Sequence, residues 1–75
     1  MSDIVRIVVD GRDLQPPEPL EQTMAALDRM PPDGEVLLLV HCRPHPLFNI
    51  LRRNNFCWVE SMDADGCHEI VIRRA

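Results

Sequence analysis

His41, Cys42 and His45 bring two imidazoles and a thiol into a five-residue span. Those donors suit zinc or iron, and at that spacing they could supply two or three ligands. A closed structural site takes four. The next candidates, Cys67 and His68, are expected at the tip of a distant hairpin, out of reach. The trio therefore reads as an incomplete metal site or as a strand end and loop with two incidental histidines. Cys42 has a further reading. A thiol attacks as thiolate, and a cation or a helix N-terminus lowers its pKa from about 8.5 into the range of about 3.5–7.5. Arg43 follows directly and a helix start comes soon after, so Cys42 is a candidate sulfur acceptor. The plainer alternative is a small half-buried residue. Asp10, Asp13 and Glu18 gather carboxylates around an earlier loop, where they fit an acid–base pair or a cation site. A helix dipole explains Glu18 without either, and a turn hydrogen bond explains Asp10. Cys57 and Cys67 have no basic neighbour other than His68 and read as incidental. No Ser/His/Asp arrangement, phosphate loop or dinucleotide fingerprint is present.

The elements that must position these groups follow from the apolar pattern. Residues 4–9 are short, apolar and rich in β-branching, and Asp10-Gly11 closes them, which predicts a buried strand. Pro16, Pro17 and Pro19 lack donors and are tolerated before or within a first helical turn. Glu18 and Glu21 suit the positive end of that helix. Leu20, Met24, Leu27 and Met30 recur at helical spacing, until Pro31-Pro32-Asp33-Gly34 turns the chain. Residues 35–41 form the most hydrophobic stretch and predict a central strand, apolar on both faces. Pro46 opens a second helix with Leu47, Ile50 and Leu51 as its buried stripe. Arg52 and Arg53 complement its negative end, and Asn54-Asn55 close it.

Residues 56–62 and 67–73 are two further strands joined by Asp63-Ala64-Asp65-Gly66. A plain four-residue turn would set Glu60 opposite Glu69. A type I turn with a glycine bulge shifts the pairing by one and puts Phe56, Trp58 and Met62 on the face of Ile70 and Ile72. The second register buries more and repels less, and it covers most of Trp58. The expected fold is an α/β two-layer sandwich in the order β-α-β-α-β-β, a mixed four-stranded sheet with two helices on one face.

Composition bounds the function. The chain has 75 residues, 45% hydrophobic and 27% charged, and spans one domain, 1–75, near the lower limit for a self-sufficient core. A net charge of −4, with all eight basic residues arginine, speaks against a nucleic-acid surface. No apolar run is long enough to span a bilayer and no leader is visible, so a cytoplasmic protein with three reduced thiols is expected.

The stretch Asp13-Leu14-Gln15-Pro16-Pro17-Glu18-Pro19-Leu20 resembles the Gly-Leu-x-Cys-Pro-x-Pro-Val motif of the TusA/SirA-like sulfur carriers. Pro16 stands where those carriers place the persulfide-bearing cysteine. Pro44-His45-Pro46-Leu47 matches a second motif, Pro-x-Pro-Leu, after the central strand, and Phe56-x-Trp58 and the closing IVIRR add to the likeness. The chain is most similar to short bacterial TusA-like proteins grouped as a domain of unknown function, with Pro-Pro-Glu-Pro in place of Cys-Pro-x-Pro. Cys42 matches no role in that group. Relatives fused to hemerythrin-like domains imply redox or nitric-oxide physiology, and the resemblance as a whole implies a link to sulfur or redox metabolism. The resemblance implies the two-layer sandwich and a non-enzymatic module without the carrier thiol.

Three functions follow as expectations. The first is a protein-interaction or regulatory domain, with docking candidates Asp13, Pro16, Pro17, Glu18, His41, Arg43 and His45. The others are a metal- or redox-linked protein using His41, Cys42 and His45, and residual sulfur transfer through Cys42. No cofactor is called for. A protein partner or a homodimer is expected on the helix-free face of the sheet, since 36–40 is apolar on both sides. Stems of Arg6 and Arg73 lying across that face are the alternative.

Overall fold

A computed structural model describes residues 4–15 and 17–75. Its elements are β1 (Arg6–Asp10), α1 (Glu18–Arg29), β2 (Glu35–Val40), α2 (His45–Arg53), β3 (Phe56–Met62) and β4 (His68–Arg74). The sheet order is β1-β2-β4-β3, with β1 parallel to β2 and the other pairs antiparallel. This is the expected mixed sheet, with both helices packed on one face. The first and last strands sit one or two residues later than their apolar runs, because pairing with β2 sets the bounds of β1 and pairing with β3 those of β4.

Proline opens both helices. Pro17 and Pro44 occupy the N-cap positions, neither offers a side-chain cap, and a second proline follows two residues later in each. Glu18 and Glu21 complement the dipole in the first turn of α1, whereas the first turn of α2 has no acidic residue. The α1 stripe is Thr23, Ala26 and Leu27, with Leu20 and Met24 partly buried beside it. Thr23 is fully buried, and its hydroxyl donates to the Pro19 carbonyl at 2.7 Å, so no polar group is stranded. The core closes with Val9, Val36, Leu38, Val40, Leu47, Phe48, Leu51, Ile70 and Ile72. Asn55 takes a left-handed φ of 61° directly after α2, the role expected of the Asn-Asn pair.

The hairpin adopts the bulged register. Trp58 pairs with Ile72 and Glu60 with Ile70, so the two glutamates do not face each other. The Asp63 carboxylate accepts the N–H groups of Asp65 and Cys67, both at 2.9 Å, and Gly66 sits at a φ of +84°. Trp58 is half-buried and stacks on Phe48 at 5.1 Å, with Arg43 over the Phe48 ring and Arg52 over the indole. Met62 shares that face but lies beyond the helices and is exposed.

Three rows cross the helix-free face. Arg6, Glu35, Arg73 and Cys57 make the first, Val8, Leu37, Val71 and Val59 the second, and Asp10, Leu39, Glu69 and Ser61 the third. Arg6 and Arg73 both reach Glu35, at 3.1 and 3.5 Å, and bury its carboxylate between them.

One expectation is corrected. The hairpin tip is not remote from His41. Strand β4 runs antiparallel to β2 and Val40 pairs with His68, so the turn comes back to the end where β1 and β2 finish. Cys67 and His68 therefore share that end with His41.

Candidate functional site

Parallel pairing of β1 and β2 sends both following loops out at one end of the sheet, the usual place for a ligand crevice. The β1 loop is a tight turn. The Asp10 carboxylate accepts the Arg12 backbone N–H at 3.2 Å, and its guanidinium at 2.9 and 2.8 Å. Gly11 donates to the Leu39 carbonyl at 2.7 Å, and a Cβ there would sit 3.1 Å from that oxygen, a tight contact that a larger residue would relieve by moving the loop a few tenths of an ångström from β2. Opposite, Pro44 and Pro46 end the β2 loop, with the Leu47 N–H donating to the Pro44 carbonyl at 3.0 Å.

Between the two loops lies a cleft of about 490 Å³. Leu14, Pro17, Pro19 and Leu20 form one wall, Pro44, Pro46 and Leu47 the other, and Leu38 and Val40 the floor. Gly11, Arg12, His41, Cys42 and Arg43 complete the rim. The two walls echo each other in sequence: Pro17-Glu18-Pro19-Leu20 and Pro44-His45-Pro46-Leu47 are both Pro-x-Pro-Leu at a helix start.

Both rim arginines are engaged. Arg12 holds the Asp10 carboxyl at a pKa of about 2, mainly by its guanidinium hydrogen bonds, and is itself pushed up. Arg43 grips Glu60 on β3 with two bonds of 2.7 and 3.0 Å, which lowers the Glu60 pKa and raises its own. The Arg43 guanidinium is thus directed to Glu60 and the Phe48 ring.

The structure divides the residues singled out from sequence. Pro17, His41, Cys42 and Arg43 line the cleft; Asp13 and Glu18 are exposed outside it. His45 packs edge-on to Phe48, with ring centroids 6.4 Å apart, and does not line the cleft with His41 and Cys42. Pro16 lies outside the described residues. Among the described residues, no three His, Cys, Asp or Glu side chains group as a metal site. Parallel pairing of the first two strands, read from the sequence, already sets 41–45 beside 11–16, but Arg12, Leu14, Pro19, Leu20, Pro44, Pro46 and Leu47 were not named there as wall and rim. The repeated Pro-x-Pro-Leu was the signal that could have found most of them.

The fold and cleft define a small two-layer α/β module. Residues 8–74 match the family described as Uncharacterized conserved protein (DUF2249), and the chain belongs to that family. No curated protein and no solved structure matches the chain. No helix among the described residues is long and apolar enough to cross a membrane.

Proposed function

We propose that this chain is a non-catalytic, TusA-like docking module of the cytoplasm, linked to sulfur or redox metabolism, that receives an apolar segment of a partner protein in the cleft. The apolar, proline-walled shape of the cleft carries this reading. Four of its wall residues are prolines, whose rings present a rigid surface with no donor to satisfy, and its two arginines are already paired. Binding there orders little that is not already ordered, which favours association. Pro16 at the carrier-cysteine position of the TusA-like motif supports a scaffold kept without its nucleophile.

A photoreactive amino acid at Leu14 tests this in cells. A single partner is expected to crosslink there, and Pro46→Glu, on the opposite exposed wall, is expected to abolish the product while the fold persists. Crosslinks that survive Pro46→Glu would overturn the reading.

Exposure of Cys42 on the cleft rim favours a second reading, residual sulfur transfer. Its thiolate would attack the outer sulfur of a donor persulfide, forming a Cys42 persulfide as the donor thiolate leaves. Incubation with a cysteine desulfurase and its substrate, followed by intact mass, decides it. Addition of one sulfur atom, lost in Cys42→Ser, establishes this reading, and an unchanged mass removes it.

A further inference from the structure

We infer that the helix-free face of the sheet is a self-complementary surface on which a second copy of this chain docks face to face, with its strands antiparallel to those of the first. The middle row of that face is wholly aliphatic, and Val8 and Val59 at its ends are 56% and 70% exposed. Contiguous apolar surface of this kind marks an interaction site. The flanking rows say what covers it. On one side two guanidiniums share the single Glu35 carboxylate, leaving a positive row. On the other, Asp10, whose carboxylate Arg12 already engages, and Glu69 make an acidic row whose net charge rests on Glu69.

A twofold axis along the aliphatic row exchanges the two flanking rows and keeps each strand over its own counterpart. Arg6 then faces Asp10 of the second copy, and Arg73 faces its Glu69. Symmetry doubles both pairings, while Leu37 and Val59 meet their own equivalents. A twofold along the strands leaves both acidic residues without a cation opposite. Charge complementarity therefore selects the first arrangement. Packed sheets cross at about 30°, a rotation that long arginine side chains accommodate. Four strands about 4.8 Å apart and five residues long give a face of only about 19 by 16 Å. That footprint, about 300 Å² per copy, is below the size of stable specific interfaces, so the dimer is weak and concentration-dependent.

Sedimentation equilibrium from micromolar to millimolar protein tests it, with circular dichroism to confirm that each variant folds. Wild-type protein is expected to dimerise reversibly, more weakly at high salt. Val59→Glu, at an exposed position, and Glu69→Arg, at a half-buried one, are expected to weaken the dimer by about tenfold or more. A wild-type chain that stays monomeric at millimolar concentration, or a dimer that either variant leaves unchanged, would overturn the proposal. The arrangement has its own readout in a Cys42→Ser background carrying Ser61→Cys. Within one chain Cys57 and the introduced thiol are about 13 Å apart along β3. Between copies they face each other across the roughly 10 Å that separates packed sheets, too far for a disulfide but within reach of a short bis-maleimide. That linker is expected to give a covalent dimer that Cys57→Ser removes, and failure to crosslink, or a dimer that persists without Cys57, would overturn the twofold.

Discussion

The six residues of β2 face two different environments, and the contrast shows what each side of the sheet is built for. Val36, Leu38 and Val40 are 0–5% exposed beneath the helices, where aliphatic packing alone closes the surface. Leu37 and Leu39, on the other side, remain partly exposed. Glu35, on that same side, is as buried as the core at 4%, yet it is covered by Arg6 and Arg73 rather than by apolar groups. Depth of burial therefore does not separate the faces. The covering chemistry does: one face is finished by hydrocarbon, the other is organised by charge and left open along its middle row.

The sharpest measure of this difference is truncation of neighbouring leucines. Leu38→Ala removes a fully buried side chain and is expected to cost about 2–5 kcal/mol, the range for core leucines that leave a cavity. Leu37→Ala opens no cavity and is expected to cost about 1 kcal/mol or less. Urea denaturation of both variants at low protein concentration checks this. Equal losses would mean that the open face is packed in the monomer and would break the comparison.

A smaller effect tests how each β3 side chain is assigned to its face. Gly66 holds the bulge at a left-handed φ, and a Cβ there would meet nothing within 4 Å. Gly66→Ala therefore isolates backbone strain, expected at about 1–2 kcal/mol. Trp58 emission should keep its wild-type maximum. A red shift would report a one-residue slip that turns Trp58 toward the open face and Val59 toward the helices.

Much of this architecture was legible in sequence, because local patterns and turn residues agree with it. The order of elements, the bulged hairpin and the Asx turn at Asp10 all follow from residues close to one another. The cleft was less legible. That the loops at 11–16 and 41–45 meet follows from the parallel strand pair, but the walls come from two motifs 27 positions apart, and each proline cluster read alone is only a helix start. The position of Cys67 and His68 was misjudged for a related reason. A hairpin's own sequence sets its turn but not which end of the sheet that turn reaches, and only the pairing of Val40 with His68 decides it. The sharing of Glu35 by two arginines was likewise invisible, since Arg6, Glu35 and Arg73 come from three strands.

The smallest effect concerns Asp10, which stands in the acidic row of the open face at the end nearest the cleft. Arg12 holds its carboxyl at about 2, below the ordinary aspartate value of about 3.9. A depressed folded-state pKa favours the fold at pH values above the unfolded one. That contribution is present in full above about pH 4 and is lost as pH falls from there through about 2. Both partners are close to half exposed, so the change in overall stability is expected to be slight, and site-resolved titration is the proper readout. The Asp10 carboxyl carbon, followed by NMR, should titrate near 2 in the wild-type chain and return toward the ordinary range in Arg12→Ala. A wild-type midpoint already in that range would dissolve the pair. With the pair intact, Asp10 stays charged at every pH above about 4, so protonation at Asp10 does not erase the contrast between the basic and acidic rows near neutrality.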